Sequence, residues 1–316
     1  MLATHTMPGE EGKRNALYEV MQQVTLAGLA RGGFFQEAAF YGDTCLRLLY
    51  GLQRYSEDME FTLLSPNQNF CFENYFPAII EEARLLGREV SITKKDKWTF
   101  GRVESAFLKD TTDVYNLNFQ TERSLKIKIE VDIQPPLLFQ TEQKLLVQPY
   151  SFMVRSMTLP CLFAGKMPAL VSRQWKTRVK GRDWYDFEWY VRWNHPLSWA
   201  HLHERIVEFS GKECSQEEFI QLLQHRLETT DIQQVKADVL PFVKNPRELD
   251  IWSNEYFLQL AQRIRWNEYT FGTIFARKCM HKCLHTQTFL KKIHPRGIVS
   301  KYCTSRVLYI DFTIID

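Results

Sequence analysis

Between residues 15 and 31 the apolar positions Leu17, Val20, Met21, Val24 and Ala27 recur at helical spacing, and Gly32-Gly33 closes the run, so the pattern predicts a first helix. Residues 39–52 read as the end of a strand, a turn at Gly42-Asp43-Thr44 and a helix carrying Leu46, Leu49 and Leu52. The period then changes to two: over residues 58–64 Met59, Phe61 and Leu63 fall on one strand face, and Asp58, Glu60 and Thr62 on the other. A helix is predicted over 71–86, ended by Gly87, and strands over 89–94, 103–109, 114–120 and 125–133, the last stopped by Pro135-Pro136. Beyond a boundary near 148–158 the pattern becomes helical, over 159–173, 183–193, 199–210, 216–229, 232–243 and 250–265, with Ser215 and Glu218 as a capping box. A mixed αβ half followed by a helical half predicts the α+β class, with domains over 1–150 and 151–266 and a tail over 267–316.

Composition narrows the class. The 316 residues are 45% apolar, 14% aromatic and 24% charged, which fits about two globular domains and excludes a disordered or fibrous chain. Charged residues interrupt every long apolar run, and no apolar segment follows the first charges, so neither a membrane span nor a signal peptide is predicted. Seven scattered cysteines without a CxxC pair fit a reducing compartment, and the expectation is a cytosolic, cytoplasmic protein with no membrane partner. The net charge of +3 comes from the tail: residues 267–316 hold eight basic residues and three acids, leaving 32 basic and 34 acidic residues in the first 266. Any contact with a polyanion therefore depends on a local cluster.

Three features carry chemistry. Asp58 and Glu60 project from one strand face about 7 Å apart, a spacing suited to one or two Mg²⁺ ions, which take hard oxygen ligands and accompany phosphates. The Gly42-Asp43-Thr44 turn stands just before a helix, whose free N–H groups and positive dipole end suit a triphosphate. On the strand Lys126 to Ile133 the polar residues share one face, and either Glu130 or Asp132 is placed to give a third metal carboxylate; periodicity does not choose between them.

Beside these stands a run of six cations, Lys166, Arg173, Lys176, Arg178, Lys180 and Arg182, with no acid between 166 and 182, a chemistry that neutralises polyphosphate or an RNA backbone. Asp183 and Asp186 follow on one helix face, placed to orient Lys166 or Arg173, while Trp184, Phe187, Tyr190 and Trp193 read as helix core. Walker A, HExxH and GxSxG motifs are missing, and Cys279, His281, Cys283 and His285 are too crowded for a structural zinc site.

In combination, Phe40-Tyr41-Gly42-Asp43-Thr44-Cys45-Leu46-Arg47, Arg54-Tyr55-Ser56-Glu57-Asp58-Met59-Glu60-Phe61, Lys166-Met167-Pro168-Ala169-Leu170 and Lys180-Gly181-Arg182-Asp183-Trp184-Tyr185-Asp186-Phe187 closely resemble the AbiEii/AbiGii toxin family of nucleotidyltransferases. The resemblance covers about residues 15–266. It implies a polymerase-β-like nucleotidyltransferase fold with a mixed sheet and a helical C-terminal half, and a toxin of a type IV toxin–antitoxin or abortive-infection system for phage defence. It further implies transfer of a nucleotide from an NTP to an acceptor, the tRNA 3′ end as in the MenT-type relatives. Mg²⁺ is the implied cofactor, and a cognate antitoxin that need not touch the toxin is the implied partner.

Position by position, the resemblance implies Gly42, Asp43 and Thr44 as the phosphate turn; Arg54, Ser56 and Arg173 are further nucleotide-binding candidates. Asp58 and Glu60, with Glu130 or Asp132, become the metal carboxylates, Lys166 the NTP-binding lysine, and Asp183 or Asp186 the acid of the last motif. Two positions depart from the family pattern, which has Gly-Gly-Thr at the turn and Asp-x-Asp on the strand. An acid at Asp43 repels a triphosphate unless it faces away or binds metal, and Glu60 adds a methylene to a site of strict geometry. The alternatives are transfer to a protein or small molecule on the same fold, and a catalytically impaired protein that binds RNA or an antitoxin.

Overall fold

The computed structural model describes residues 9–94, 112–120, 125–135, 138–172 and 179–267. Contacts group the chain into residues 1–267 and 268–316, and the described residues all belong to the first group.

α1 (Gly9–Arg31) begins one to two turns before the predicted start and buries Val20, Met21, Val24, Leu26, Ala27 and Leu29. Burial on more than one side follows from its place between a sheet and a second helix: it packs against β5 (Leu125–Asp132), β7 (Phe152–Met157) and α3 (Phe76–Leu85). The other elements of this half are β1 (Ala38–Tyr41), α2 (Gly42–Tyr50), β2 (Met59–Leu63), β3 (Val90–Lys94), β4 (Thr112–Phe119) and β6 (Thr141–Leu146). They form a seven-stranded sheet in the order β3-β4-β5-β2-β1-β7-β6. β2 pairs with β5 and β1 with β7 in parallel, and the other neighbours are antiparallel. The sheet is mixed and the class α+β, as the order of patterns predicts.

The period-two residues behave as their spacing requires: Met59, Phe61 and Leu63 of β2 and Ile127, Ile129 and Val131 of β5 are buried. Phe34 packs edge-on against Phe61 at 5.1 Å and Tyr75 at 5.0 Å, which ties the start of the sheet to the segment before α3. That segment, read as helix from residue 71, opens instead with a 3₁₀ turn over Phe72–Tyr75. The β6–β7 hairpin replaces what the sequence pattern shows only as a boundary. The strand predicted over 103–109 lies outside the described residues.

The following helices are α4 (Leu159–Ser172), α5 (Gly181–Arg192), α6 (Trp199–Ser210), α7 (Gln216–Thr229), α8 (Ile232–Val239) and α9 (Asn254–Ala261). The predicted capping box is present at α7, where the Ser215 side chain accepts from the Glu218 N–H and the Glu218 carboxylate from the Ser215 N–H. Two helices are shorter than their patterns. α8 stops at Val239, two residues before Pro241, which cannot continue a hydrogen-bonded helix. α9 starts only after Ser253, whose hydroxyl accepts from the Tyr256 N–H at 3.0 Å, and the chain beyond it pairs as β9 (Arg265–Asn267) in parallel with β8 (Pro196–Ser198).

One buried apolar cluster takes in residues from the sheet and from these helices. Phe163 of α4 stacks on Tyr190 of α5 at 4.3 Å, and Trp184, Phe187 and Tyr190 are buried as read, whereas Trp193 at the end of α5 is 62% exposed. α5 meets α8 at close quarters: the Gly181 N–H donates to Asp238 Oδ2 at 2.8 Å, and a Cβ on Gly181 would overlap the Val235 carbonyl. No helix among the described residues is long and apolar enough to cross a membrane.

Candidate active site

The site starts at the join of β1 and α2. Gly42 has φ +80°, a left-handed conformation that suits glycine, and a Cβ there would land in the Glu60 carboxylate. The register explains this proximity, since Tyr41 of β1 lies opposite Glu60 of β2. Behind the turn, the buried Thr44 hydroxyl is bonded to the Ser56 hydroxyl at 2.9 Å and donates to the Asp58 carbonyl. Gln22 of α1 holds the same segment from the other side, its Nε2 donating to the Ser56 carbonyl at 2.9 Å and the Glu57 carbonyl at 3.2 Å. The approach to Asp58 is thus fixed by side chains of two helices.

The acids share a face because β2 and β5 run parallel in register: Glu60 lies beside Glu130, and Thr62 beside Asp132. Lys128 Nζ sits 2.7 Å from Glu130 Oε1 and 3.6 Å from Asp58 Oδ2, so one ammonium draws on both carboxylates. Asp132 is buried, and its Oδ1 accepts from the Gln134 N–H at 3.0 Å. Tyr41 faces this group: burial pushes its hydroxyl pKa well up, and the negative charge of Glu60, Asp132 and Glu130 pushes it further.

A second charged group joins the two halves of the fold. Arg54 is fully buried and forks onto Asp186 of α5, with Nε 2.7 Å from Oδ1 and Nη2 2.6 Å from Oδ2. The same Nη2 lies 2.7 Å from Asp43 Oδ2, and Nη1 donates to the Tyr55 carbonyl at 3.2 Å. Lys166 of α4 completes the group, ion-paired to Asp43 and 3.3 Å from Asp186 Oδ2. Two cations and two carboxylates are therefore balanced at the inner wall of the turn.

The model of the family described as nucleotidyl transferase AbiEii toxin, type IV TA system, matches residues 24–263, about three quarters of the chain. The chain belongs to the AbiEii family of nucleotidyltransferase toxins. Among solved structures it is similar to JHP933 from Helicobacter pylori, at 15% identity over 88% of this chain and 98% of that one, with a TM-score of 0.46. It is also similar to MenT4, a nucleotidyltransferase toxin from Mycobacterium tuberculosis, at 16% identity over 84% of this chain and 86% of that one, with a TM-score of 0.43. No curated protein sequence matches it. Membership of a toxin–antitoxin family brings with it a nucleotide substrate and a cognate antitoxin.

In this AbiEii protein the fold brings Asp43, Arg54, Lys166 and Asp186 together, and sets Asp58, Glu60 and Glu130 along one sheet face next to the Gly42 turn. The acid at position 43, which departs from the family pattern, is turned to Arg54 and Lys166, so its charge is met inside the protein. Arg54 likewise directs its guanidinium to carboxylates. The Ser56 hydroxyl is bonded to that of Thr44, which is held in turn on the Asp58 carbonyl, and Asp183 lies 3.9 Å from Lys180. Arg173 lies outside the described residues. Lys128 and Gln22 were not singled out in the sequence; the alternation of β5 places Lys128 on the acidic face, but nothing local marks Gln22.

The donor set suits a hard divalent cation, since Asp58, Glu60 and Glu130 offer carboxylate oxygens from one face and two of them already share a cation in Lys128. Among the described residues no three acid, His or Cys side chains converge as a finished metal cage. Gly42→Ala is expected to cost about 1–2 kcal/mol through the left-handed backbone and to displace Glu60 as well. Thermal melting and a transfer assay on the same sample check this; an Ala variant as stable and as active as the parent would contradict it.

Proposed function

We propose that this toxin transfers a nucleotide from an NTP to the 3′ end of tRNA, with Mg²⁺ held by Asp58, Glu60 and Glu130. The observation that carries the reading is the row of carboxylates beside the Gly42 turn, closed by the group of Lys166, Asp186, Asp43 and Arg54. Glu130 is preferred to Asp132 as the third carboxylate because it lies beside Glu60 and shares Lys128 with Asp58, whereas Asp132 accepts from the backbone of Gln134. When bound, the metal supplies charge stabilisation at the phosphates.

The chain's own groups do the rest. The N-terminus of α2 receives the triphosphate, and Lys166, kept in place by Asp43 and Asp186, offsets the charge that develops on it. The acceptor hydroxyl oxygen attacks the α-phosphorus in line, its proton passes to the Glu130 carboxylate, and the bond to the bridging oxygen breaks to release pyrophosphate. Arg54 acts as a positioning residue that holds Asp43 and Asp186 on either side of Lys166. The acid-free cation run between Lys166 and Arg182 supports a polyanionic acceptor.

The test is incubation of the purified full-length protein with each labelled NTP, Mg²⁺ and total tRNA, followed by sizing of the products. Lengthened, labelled tRNA that disappears on chelation of the metal is expected. Label found only in protein or in a small molecule would replace the acceptor, and no transfer from any NTP would overturn the reading.

A further inference from the structure

Arg182 differs from the other cations of the site in what surrounds it. Its guanidinium carbon lies 4.4 Å over the ring of Phe242, and the Phe242 carbonyl accepts from the Tyr55 N–H at 3.3 Å. The stack thereby places Arg182 beside the segment that runs from Arg54 into β2. The preceding residue, Gly181, is fixed against α8 by its bond to Asp238, so the base of the side chain is fixed as well.

Burial is the largest influence on this guanidinium and lowers its pKa from the ordinary arginine value; Arg54 lowers it further, while Glu57, Asp183 and Asp58 act in the opposite direction. Arginine nevertheless keeps its charge. Those acids are near enough to be felt, yet among the described residues none forms an ion pair with Arg182, and its solvent-shielded Nε has no hydrogen-bond partner. A shielded arginine donor without an acceptor is unusual, since buried polar groups are nearly always satisfied. Arg54 and Lys166 contrast with it, for Asp43 and Asp186 neutralise both.

We propose that Arg182 binds the phosphate chain of the nucleotide directly, its open donors taking the phosphate oxygens while Phe242 holds the fork in orientation. The proposal rests on the nucleotide-transfer reading above and adds a contact that this reading does not contain. Because the phosphate chain is common to all NTPs, Arg182 contributes affinity without choosing the base. A planar fork suits phosphate oxygens better than an ammonium does, and a stacked guanidinium loses little freedom on binding.

The probe is inorganic tripolyphosphate, titrated calorimetrically into the full-length protein and into Arg182→Gln and Arg182→Lys variants, followed by KM and kcat for the NTP that the parent uses. Arg182→Gln is expected to weaken tripolyphosphate binding about tenfold or more and to raise KM for NTP in step, with kcat within about threefold of the parent. Arg182→Lys should recover part of the loss. A parent that does not bind tripolyphosphate, or an Arg182→Gln variant that binds it as tightly, overturns the proposal. If the parent transfers nucleotide and Arg182→Gln binds normally, the proposal fails alone. If the parent transfers nothing while Arg182→Gln still loses tripolyphosphate, the anion contact stands and the transfer reading fails. Should Arg182→Gln show no cooperative melting, Phe242→Leu removes the stacking face instead: binding several-fold weaker supports the proposal, and unchanged binding overturns it.

Discussion

Arg54→Met is expected to destabilise the protein by about 3–5 kcal/mol, the usual cost of leaving a buried charge without its partner. Arg54 and Asp186 are both at 0% exposure, and the fork between them also reaches Asp43. With the guanidinium gone, Lys166 alone faces two carboxylates, one of them wholly shielded from water. Arg54→Lys is expected to recover little, because a point charge cannot form both bonds to Asp186 and still reach Asp43. Urea denaturation of the single variants measures the loss. The double variant Arg54→Met, Asp186→Leu should be more stable than Arg54→Met alone, since replacing both members of a buried pair with apolar groups is often neutral. A loss below about 1 kcal/mol for Arg54→Met would show that the pair does not hold the halves together.

Asp58→Asn is expected to act in the opposite manner, abolishing transfer while leaving the fold as stable as before. The Asp58 side chain is 51% exposed, and its ion pair to Lys128 at 3.6 Å is of the exposed kind that contributes about 0–1 kcal/mol. A metal carboxylate, by contrast, takes part in charge stabilisation of several kcal/mol, and each 1.4 kcal/mol or so is tenfold in rate, so a loss of about a thousandfold or more is expected. Labelled-nucleotide transfer and thermal melting on one preparation separate the two effects. Transfer within tenfold of the parent would remove Asp58 from the reacting centre.

These two residues also show what the sequence made legible. Asp58 stands out locally, because two carboxylates at period two beside a glycine turn are visible in a window of twenty residues, and the strand forms at Met59–Leu63, with Glu60 on it and Asp58 immediately before it. Arg54 lies in the same window, but its environment does not, since the acid it pairs with is 132 positions away. The sequence names Arg54 as a nucleotide-binding candidate and cannot show the buried fork with Asp186. The same limit explains Asp43, whose charge is met by Arg54 and Lys166.

The β6–β7 hairpin escaped for another reason. β6 is an edge strand whose Glu142, Gln143 and Lys144 are all polar while Leu145 points to solvent, so no hydrophobic period marks it although burial alternates. Proline and serine were the signals available for the ends of α8 and α9, at Pro241 and Ser253, and apolar periodicity ran past both.

The separation of Arg54 from Asp186 has a further consequence during synthesis. When the ribosome has released the chain only as far as β7, Asp58, Glu60 and Glu130 are already present, but Asp43 and Arg54 await Lys166 and Asp186. The charge-balanced wall of the site can close only after α5 has left the exit tunnel. A nascent or prematurely ended chain lacks Lys166 and Asp186, so a cell translating this toxin meets the assembled centre only once the helical half has been made.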